Sequence, residues 1–559
     1  MSPNFKELYR MISDLTSEEI KLISSKLNKN DLDKIRLLNN TKTIKELNSL
    51  QSKTHKISSE EVQELSSFLK SIFSEVKSNK KRIDASMEIV RGDFGMDKVI
   101  IGPQSKKEVK PIKQNIEDAD SLKFIYDTIL QYLNDYRPSY ESKILKWMGE
   151  MEELFNKKLF KASFYYLENA YKLASLYEAF SYLDNILKWK KKFVIYGIDQ
   201  SQKLSDLDEE ILNLREKAAN YWQYKIINQK VIQGKAEIYK DLAKIKTLNK
   251  LSKEKLLKNE TYALSYTAKL HFHEINALIF NGLGKYKQAM QYWKSMIELC
   301  QAQPQFIYQN ITPYIYTIHN YLNLCIQLNQ YKEMEKGIEI LNNLPQKFPY
   351  LINRVMFEDI KSKVYYHKFN LYFRSCEFYK TFKMVAEIDN FLEKSKTPIK
   401  STFKAVLLYD LSYSLYMYGK YNKSVQKLDQ ILAFDDEELS KDFKVMAHFL
   451  KMINFVDQKS NIRLTREIKE TKKMFTNNKP NNAFYSSFLE LMAILNNSKS
   501  TTNEIEVYKD YKNKIEKIIS AEENWESGNY FDLLSWIESK IDQEEFRDIL
   551  KIKLSKKAS

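Results

Sequence analysis

The chain is 559 residues long, too long for one compact hydrophobic core, and helix formers dominate it, with only 11 Gly and 10 Pro as punctuation. Its formal net charge of +16 directs attention to anionic partners, but only 11 of the 89 basic residues are Arg, and base or phosphate readout favours Arg over Lys. Nucleic acid is therefore not the expected partner; no apolar run approaches the roughly 18 residues of a membrane helix, so no membrane insertion is expected either.

Residues 1–80 read as a separate helical block. Phe5, Leu8, Met11, Ile12 and Leu15 form one stripe; Thr16–Glu19 and Ser58–Glu61 are capping-box starts that lead Ile20, Ile23, Leu27 and Val62, Leu65, Leu69, Ile72. Residues 81–117 read as a linker, with Gly92, Gly95 and Gly102-Pro103 close together and a basic run from Lys106 to Lys113 around Pro111. From residue 118 helical periodicity runs almost unbroken to about 550, and the last residues, KIKLSKKAS, read as a frayed basic tail; 118–559 is expected to be one array. Residues 200–260 predict long exposed helices, and 458–482 and 496–504 predict polar breaks.

The clearest unit is His273–Leu299. Gly282 to Lys285 is a turn between two amphipathic stretches. Ala277 and Phe280 share a face of the first; Tyr286, Ala289, Trp293, Met296 and Leu299 form one stripe of the second, where small Ala289 lets the helices approach. The pattern recurs at Phe160, Ser163, Leu167 and Ala170; at Tyr331, Met334, Ile338 and Leu341; at Phe378, Thr381, Val385 and Ile388; and at Tyr421, Ser424, Leu428 and Ile431. A late copy is expected at Gly528–Lys540, through Tyr530, Leu533 and Ile537. The anchors Tyr286, Tyr331, Phe378 and Tyr421 are 45, 47 and 43 residues apart.

The segment Gly284–Leu299 resembles the second half of a tetratricopeptide repeat, G-x-Y-x-x-A followed by an aromatic residue and Leu, on a period longer than the ~34 residues of that repeat. The resemblance implies an all-α right-handed superhelix of antiparallel helix pairs, with a small separate N-terminal helical domain. The opening FKELYRMISDL–TSEEIKLISSKL is similar to the helices of a death-effector-like domain, which implies self-association through that block. Most of the chain also resembles a family of bacterial helical-repeat proteins without a known activity.

In such arrays the first helix of each pair lines a concave groove. Counting back from each anchor, the resemblance places Glu274, Leu278 and Asn281; His319 and Asn323; Tyr366, Asn370 and Arg374; and Tyr409, Tyr413 and Tyr416 in that groove. Asn323 and Asn370 share the slot of the amide that clamps peptide backbone in peptide-binding members, and an amide can donate and accept at once.

No enzyme is expected. His271-Phe272-His273-Glu274 fails the H-E-x-x-H pattern because Ala277 stands at the required position, Asp435–Glu438 lacks a calcium-loop glycine, and no phosphate loop or nucleophile elbow occurs, so neither metal nor cofactor is expected. Cys300, Cys325 and Cys376 read as free thiols of a reducing, cytoplasmic compartment. The functional expectation is a protein-binding scaffold or sensor that takes a peptide or protein partner in its groove. The alternatives are a peptide-responsive regulator of transcription or signalling, and an adaptor in a bacterial defence or cell-death pathway.

Overall fold

The computed structural model describes residues 139–235, 242–395, 399–434, 439–475, 483–497, 501–521 and 531–558. The expected N-terminal domain at 1–80, the linker at 81–117 and the first turns of the array lie outside these residues. The described residues form α-helices with two short 3-10 turns and no strand.

Among the described residues twenty helices follow one another. They are α1 (Tyr140–Asn156), α2 (Phe160–Leu176), α3 (Phe180–Ile195), α4 (Leu204–Lys235), α5 (Leu242–Leu251), α6 (Tyr266–Gly282), α7 (Tyr286–Ala302), α8 (Gln305–Gln309), α9 (Thr312–Gln327) and α10 (Tyr331–Lys347). The second half holds α11 (Arg354–Arg374), α12 (Phe378–Lys394), α13 (Ser401–Met417), α14 (Tyr421–Leu432), α15 (Lys441–Asp457), α16 (Asn461–Phe475), α17 (Ala483–Asn497), α18 (Thr501–Ala521), α19 (Leu533–Asp542) and α20 (Phe546–Ala558). From α6 onward they pack as pairs, and each second helix also packs on the first helix of the next pair. The first helices α9, α11, α13 and α15 touch in succession as well. This is an arrangement of stacked helix pairs, compatible with a helical-repeat array.

The two members of a pair start differently. Five first helices are capped by a side chain: Ser139, Ser265, Asn353, Ser440 and Asp532 each accept from a backbone N–H three residues on. The second helices α2, α7, α10, α12 and α14 have no side-chain cap. They emerge instead from one recurring turn. Its central residue is left-handed: Lys158, Gly284, Asn329, Cys376, Gly419 or Lys459. The next N–H reaches back to the carbonyl five residues earlier, as in Lys285 N to Phe280 O at 2.8 Å and Glu377 N to Tyr372 O at 2.7 Å. Glycine relieves the strain of that conformation at only two of these six turns, so glycine alone is a poor guide to the repeat.

The helix-to-helix contact follows the sequence stripes. Ala289, Ser163, Thr381 and Ser424 are all fully buried in the small-residue slot. Their hydroxyls are satisfied across the pair: Ser163 Oγ donates to Met151 O at 2.7 Å, and Ser424 Oγ bonds Ser412 Oγ at 2.8 Å. Met334 occupies the same slot in α10, and there Gly337 supplies the close approach, since a Cβ on it would lie 2.7 Å from Leu322 Cδ2. Tyr286 departs from expectation: it is 39% exposed, and Trp293 alone fills the space beside Ala289.

Two boundaries are corrected. The stretch 458–482 is not a break throughout, because Asn461–Phe475 is α16, carrying buried Leu464, Ile468 and Thr471. Likewise, α17 runs to Asn497 and α18 starts at Thr501, so 496–504 is largely helical. The late copy is one helix out of phase. Its Leu533 and Ile537 belong to the first helix of the last pair, where Asp532 caps Ser535 N at 2.9 Å; Tyr530 lies outside the described residues. One long-range cap had no local signal. Glu178, in the turn between α2 and α3, accepts from Tyr266 N at 2.7 Å and Thr267 N at 2.8 Å, tying α2 and α3 to the start of α6.

Candidate functional site

The expected groove residues sit on four first helices, α6, α9, α11 and α13. On α6, Leu278 is core, and Glu274 is engaged: its Oε2 accepts from Asn228 Nδ2 of α4 at 2.7 Å and lies 3.3 Å from His271 Nδ1. Asn281 is half-buried one turn below.

The next two helices bring the predicted residues together. His319 Nδ1 of α9 is 2.8 Å from His367 Nε2 of α11, and His319 Nε2 is 3.4 Å from Asn323 Nδ2. Because an amide nitrogen only donates, Asn323 makes His319 Nε2 the acceptor. His319 then carries its proton on Nδ1 and donates to His367 Nε2, which leaves the His367 proton on Nδ1. That atom is buried and has no partner among the described residues. Tyr366 and Phe403 wall this pair, their ring centroids 6.3 and 6.0 Å from His319 and 5.7 Å from each other. Burial, with the Lys363 ammonium nearby, pushes His319 down to about 4. His367 is held well below its ordinary value by complete burial and by His319. Lys363 itself is paired with Asp359 and lies 5.2 Å over the Phe403 ring.

Tyr366, Asn370 and Arg374 form a row on α11, four residues apart. Among the described residues Asn370 Nδ2 donates only to Tyr366 O of its own helix, at 3.0 Å, and its carbonyl oxygen accepts from none. The Arg374 guanidinium is half-buried and makes no hydrogen bond or ion pair with any described residue. Its main-chain oxygen, by contrast, is held by Tyr331 Oη at 3.1 Å.

On α13 the arrangement changes. Tyr409, Tyr413 and Tyr416 are buried, at 4, 6 and 3% exposure, and do not line an open surface. Tyr413 packs at 5.1 Å on Phe531 and 6.3 Å on Phe546; Tyr416 lies 5.7 Å from each. Tyr416 Oη donates to Asp457 Oδ2 at 2.7 Å, and Lys540 Nζ is 2.8 Å from the other oxygen of that carboxylate. Tyr409 packs on Phe443 of α15. Beside them, Asp410 Oδ2 is buried without a partner among the described residues, and burial raises its carboxyl well above the usual range.

Sequence reasoning missed His367, Phe403 and Asp457. His367 follows Tyr366 and had no pattern to mark it; Phe403 and Asp457 matter only because distant helices meet there. It also missed a cleft of about 490 Å³ between α2, α3 and α4, floored by Leu183, Leu187 and Leu214 and rimmed by Asp206 and Glu209. Among the described residues no group of three His, Cys, Asp or Glu side chains is placed to hold a metal ion, and no helix is long and apolar enough to cross a membrane.

No protein-family model, curated protein or solved structure matches this chain. Its functional reading therefore rests on the residues themselves.

Proposed function

We propose that this protein is a non-enzymatic interaction scaffold, a right-handed superhelical array of tetratricopeptide-like pairs whose inner face over α6, α9 and α11 binds a segment of a partner protein. The observation that carries this reading is the row Tyr366–Asn370–Arg374. It offers a guanidinium without a counter-ion and an amide carbonyl without a donor among the described residues, beside an aromatic ring, all three residues half-buried on one helix face. Half-buried polar groups without protein partners are suited to a ligand that satisfies them, and Arg forks match carboxylates. Asn323, one pair earlier in the same slot, extends the row. The partner segment accordingly carries an acidic group opposite Arg374, with its backbone against Asn323 and Asn370. The compartment is the reducing cytoplasm, in keeping with three free cysteines, of which buried Cys300 and Cys325 are pushed up to about 12 and are poor nucleophiles.

The test is capture of partners on the immobilised full-length chain, identification by mass spectrometry, and titration of the partner against variants. Arg374→Ala and the Asn323→Ala/Asn370→Ala pair should each weaken binding about tenfold or more, with an unchanged melting temperature. Wild-type affinity in both, with the fold intact, excludes this face.

A further inference from the structure

The cleft between α2, α3 and α4 lies apart from the row on α11. Its floor is apolar: Leu183 and Leu187 of α3 are 6 and 1% exposed, and Leu214 of α4 completes it. Along it α4 presents Asp206, Glu209 and Glu210, whose three- and four-residue spacing sets them on one helix face, with Lys217 two turns further on. Glu178, from the turn between α2 and α3, lines the same space. The lining thus carries four carboxylates against one ammonium, in a chain whose net charge is +16.

These carboxylates are not equally free. Glu178 is engaged at the start of α6, and Glu210 accepts from the Tyr171 hydroxyl. Asp206 accepts only from its neighbour Ser205, and Glu209 makes no hydrogen bond or ion pair with any described residue. Nearby cations do not answer them. Lys190 is paired with Glu168 at 2.9 Å, Lys188 and Arg215 both hold Asp184, and Lys191 holds Asp208. Negative charge therefore stands unneutralised beside buried leucines.

We propose that this cleft binds a linear alkyl polyamine. Its methylene segments lie on Leu183, Leu187 and Leu214, and its ammonium groups meet Asp206 and Glu209. Neither half of the site is answered by a simpler ligand: an inorganic cation makes nothing of the apolar floor, and a neutral apolar molecule leaves the carboxylates without counter-charge. An aliphatic chain with cationic ends satisfies both, as a lysine stem does when it covers apolar surface and keeps its head in water. Lys217 bounds the acidic stretch and repels ammonium groups beyond it. The volume of about 490 Å³ falls within the roughly 300–1,000 Å³ of small-molecule sites.

The probe is spermidine, titrated by calorimetry into the full-length chain at fixed ionic strength. One saturable site is expected. Asp206→Asn/Glu209→Gln should weaken it about tenfold or more, and Lys217→Glu should tighten it several-fold. Across a series of α,ω-diamines affinity should rise with the number of methylenes, because the added carbons reach the leucine floor. Mg2+ should not displace spermidine when ionic strength is held constant. Absence of saturable binding, wild-type affinity in the folded Asp206/Glu209 variant, or a flat diamine series each overturns the proposal. Displacement by Mg2+ does so too, by reducing the cleft to a general cation patch. A lysine-rich peptide that binds where spermidine does not would make the cleft a contact for a protein and equally overturn it. If the double variant does not fold, Lys217→Glu decides, and unchanged affinity refutes the site. The Arg374 and Asn323/Asn370 variants lie on other helices and bear on the proposed function alone.

Discussion

The expected groove residues of α11 and α13 occupy equivalent places in consecutive pairs, yet they meet different fates. Tyr366, Asn370 and Arg374 stay half-buried, whereas Tyr413 and Tyr416 are sealed under Phe531 and Phe546. Equivalent position along a repeat therefore does not guarantee equivalent exposure. What differs is whether a later part of the chain returns to that step of the array, and aromatic side chains are the ones that bury well when it does.

The largest expected effect tests whether α13 is core. Tyr413→Ala should destabilise the fold by about 3–5 kcal/mol, as for any fully buried aromatic truncation. Tyr366→Ala should cost clearly less, and equal midpoints for the two in urea denaturation would erase the distinction. The second effect belongs to the α9–α11 side. His319 and His367 are held neutral, so below about pH 6.5 the unfolded chain takes up protons that the folded chain refuses, His319 until about pH 4. Stability should therefore be full above pH 6.5 and fall as the pH drops through this window, by about 2 kcal/mol at pH 5 from His319 alone. Replacing both with a His319→Gln/His367→Leu pair should flatten that fall in thermal melts at pH 5 and 7; an undiminished slope would place the acid sensitivity elsewhere.

A smaller effect concerns the hydroxyl that ties α13 to α15. Tyr416→Phe removes the donor to Asp457, whose side chain is 6% exposed, and should cost about 1–2 kcal/mol. A neutral result would mean that Lys540 and Trp536 suffice for that carboxylate. The smallest effect is at the open face. Asn323→Ala/Asn370→Ala should change stability by less than about 0.5 kcal/mol, since Asn370 serves only its own helix and Asn323 makes one 3.4 Å contact. A large loss of melting temperature would make these amides structural and remove the reason to assign them a ligand.

Much of the architecture was legible without coordinates. The anchors Phe160, Tyr286, Tyr331, Phe378 and Tyr421 are each the first residue of a second helix, because apolar spacing of three and four residues can be buried only by a helix against a partner. The small slot at Ser163, Ala289, Thr381 and Ser424 was legible for the same reason: two helices approach closely only where a side chain is small. Ile537 shows the limit of local pattern, since it matches the anchor stripe yet lies in a first helix; periodicity identifies a helix but not its place in a pair.

Position on the inner face was only half legible. Tyr366, Asn370 and Arg374 could be placed in a row because their relation is intrahelical and follows from 3.6 residues per turn. The covering of Tyr413 and Tyr416, the pairing of His319 with His367 and the cap of Glu178 on α6 could not be placed. Each joins residues 48 to more than 100 positions apart or depends on which helices meet. The sequence by itself determined an all-helical chain, its hairpin register and its small-residue contacts, all set by interactions within about one turn or across one turn-linked pair. Only the tertiary structure decided that Tyr413 and Tyr416 are covered while Tyr366, Asn370 and Arg374 stay half-buried, because that depends on contacts between residues more than a hundred positions apart, which no local pattern encodes.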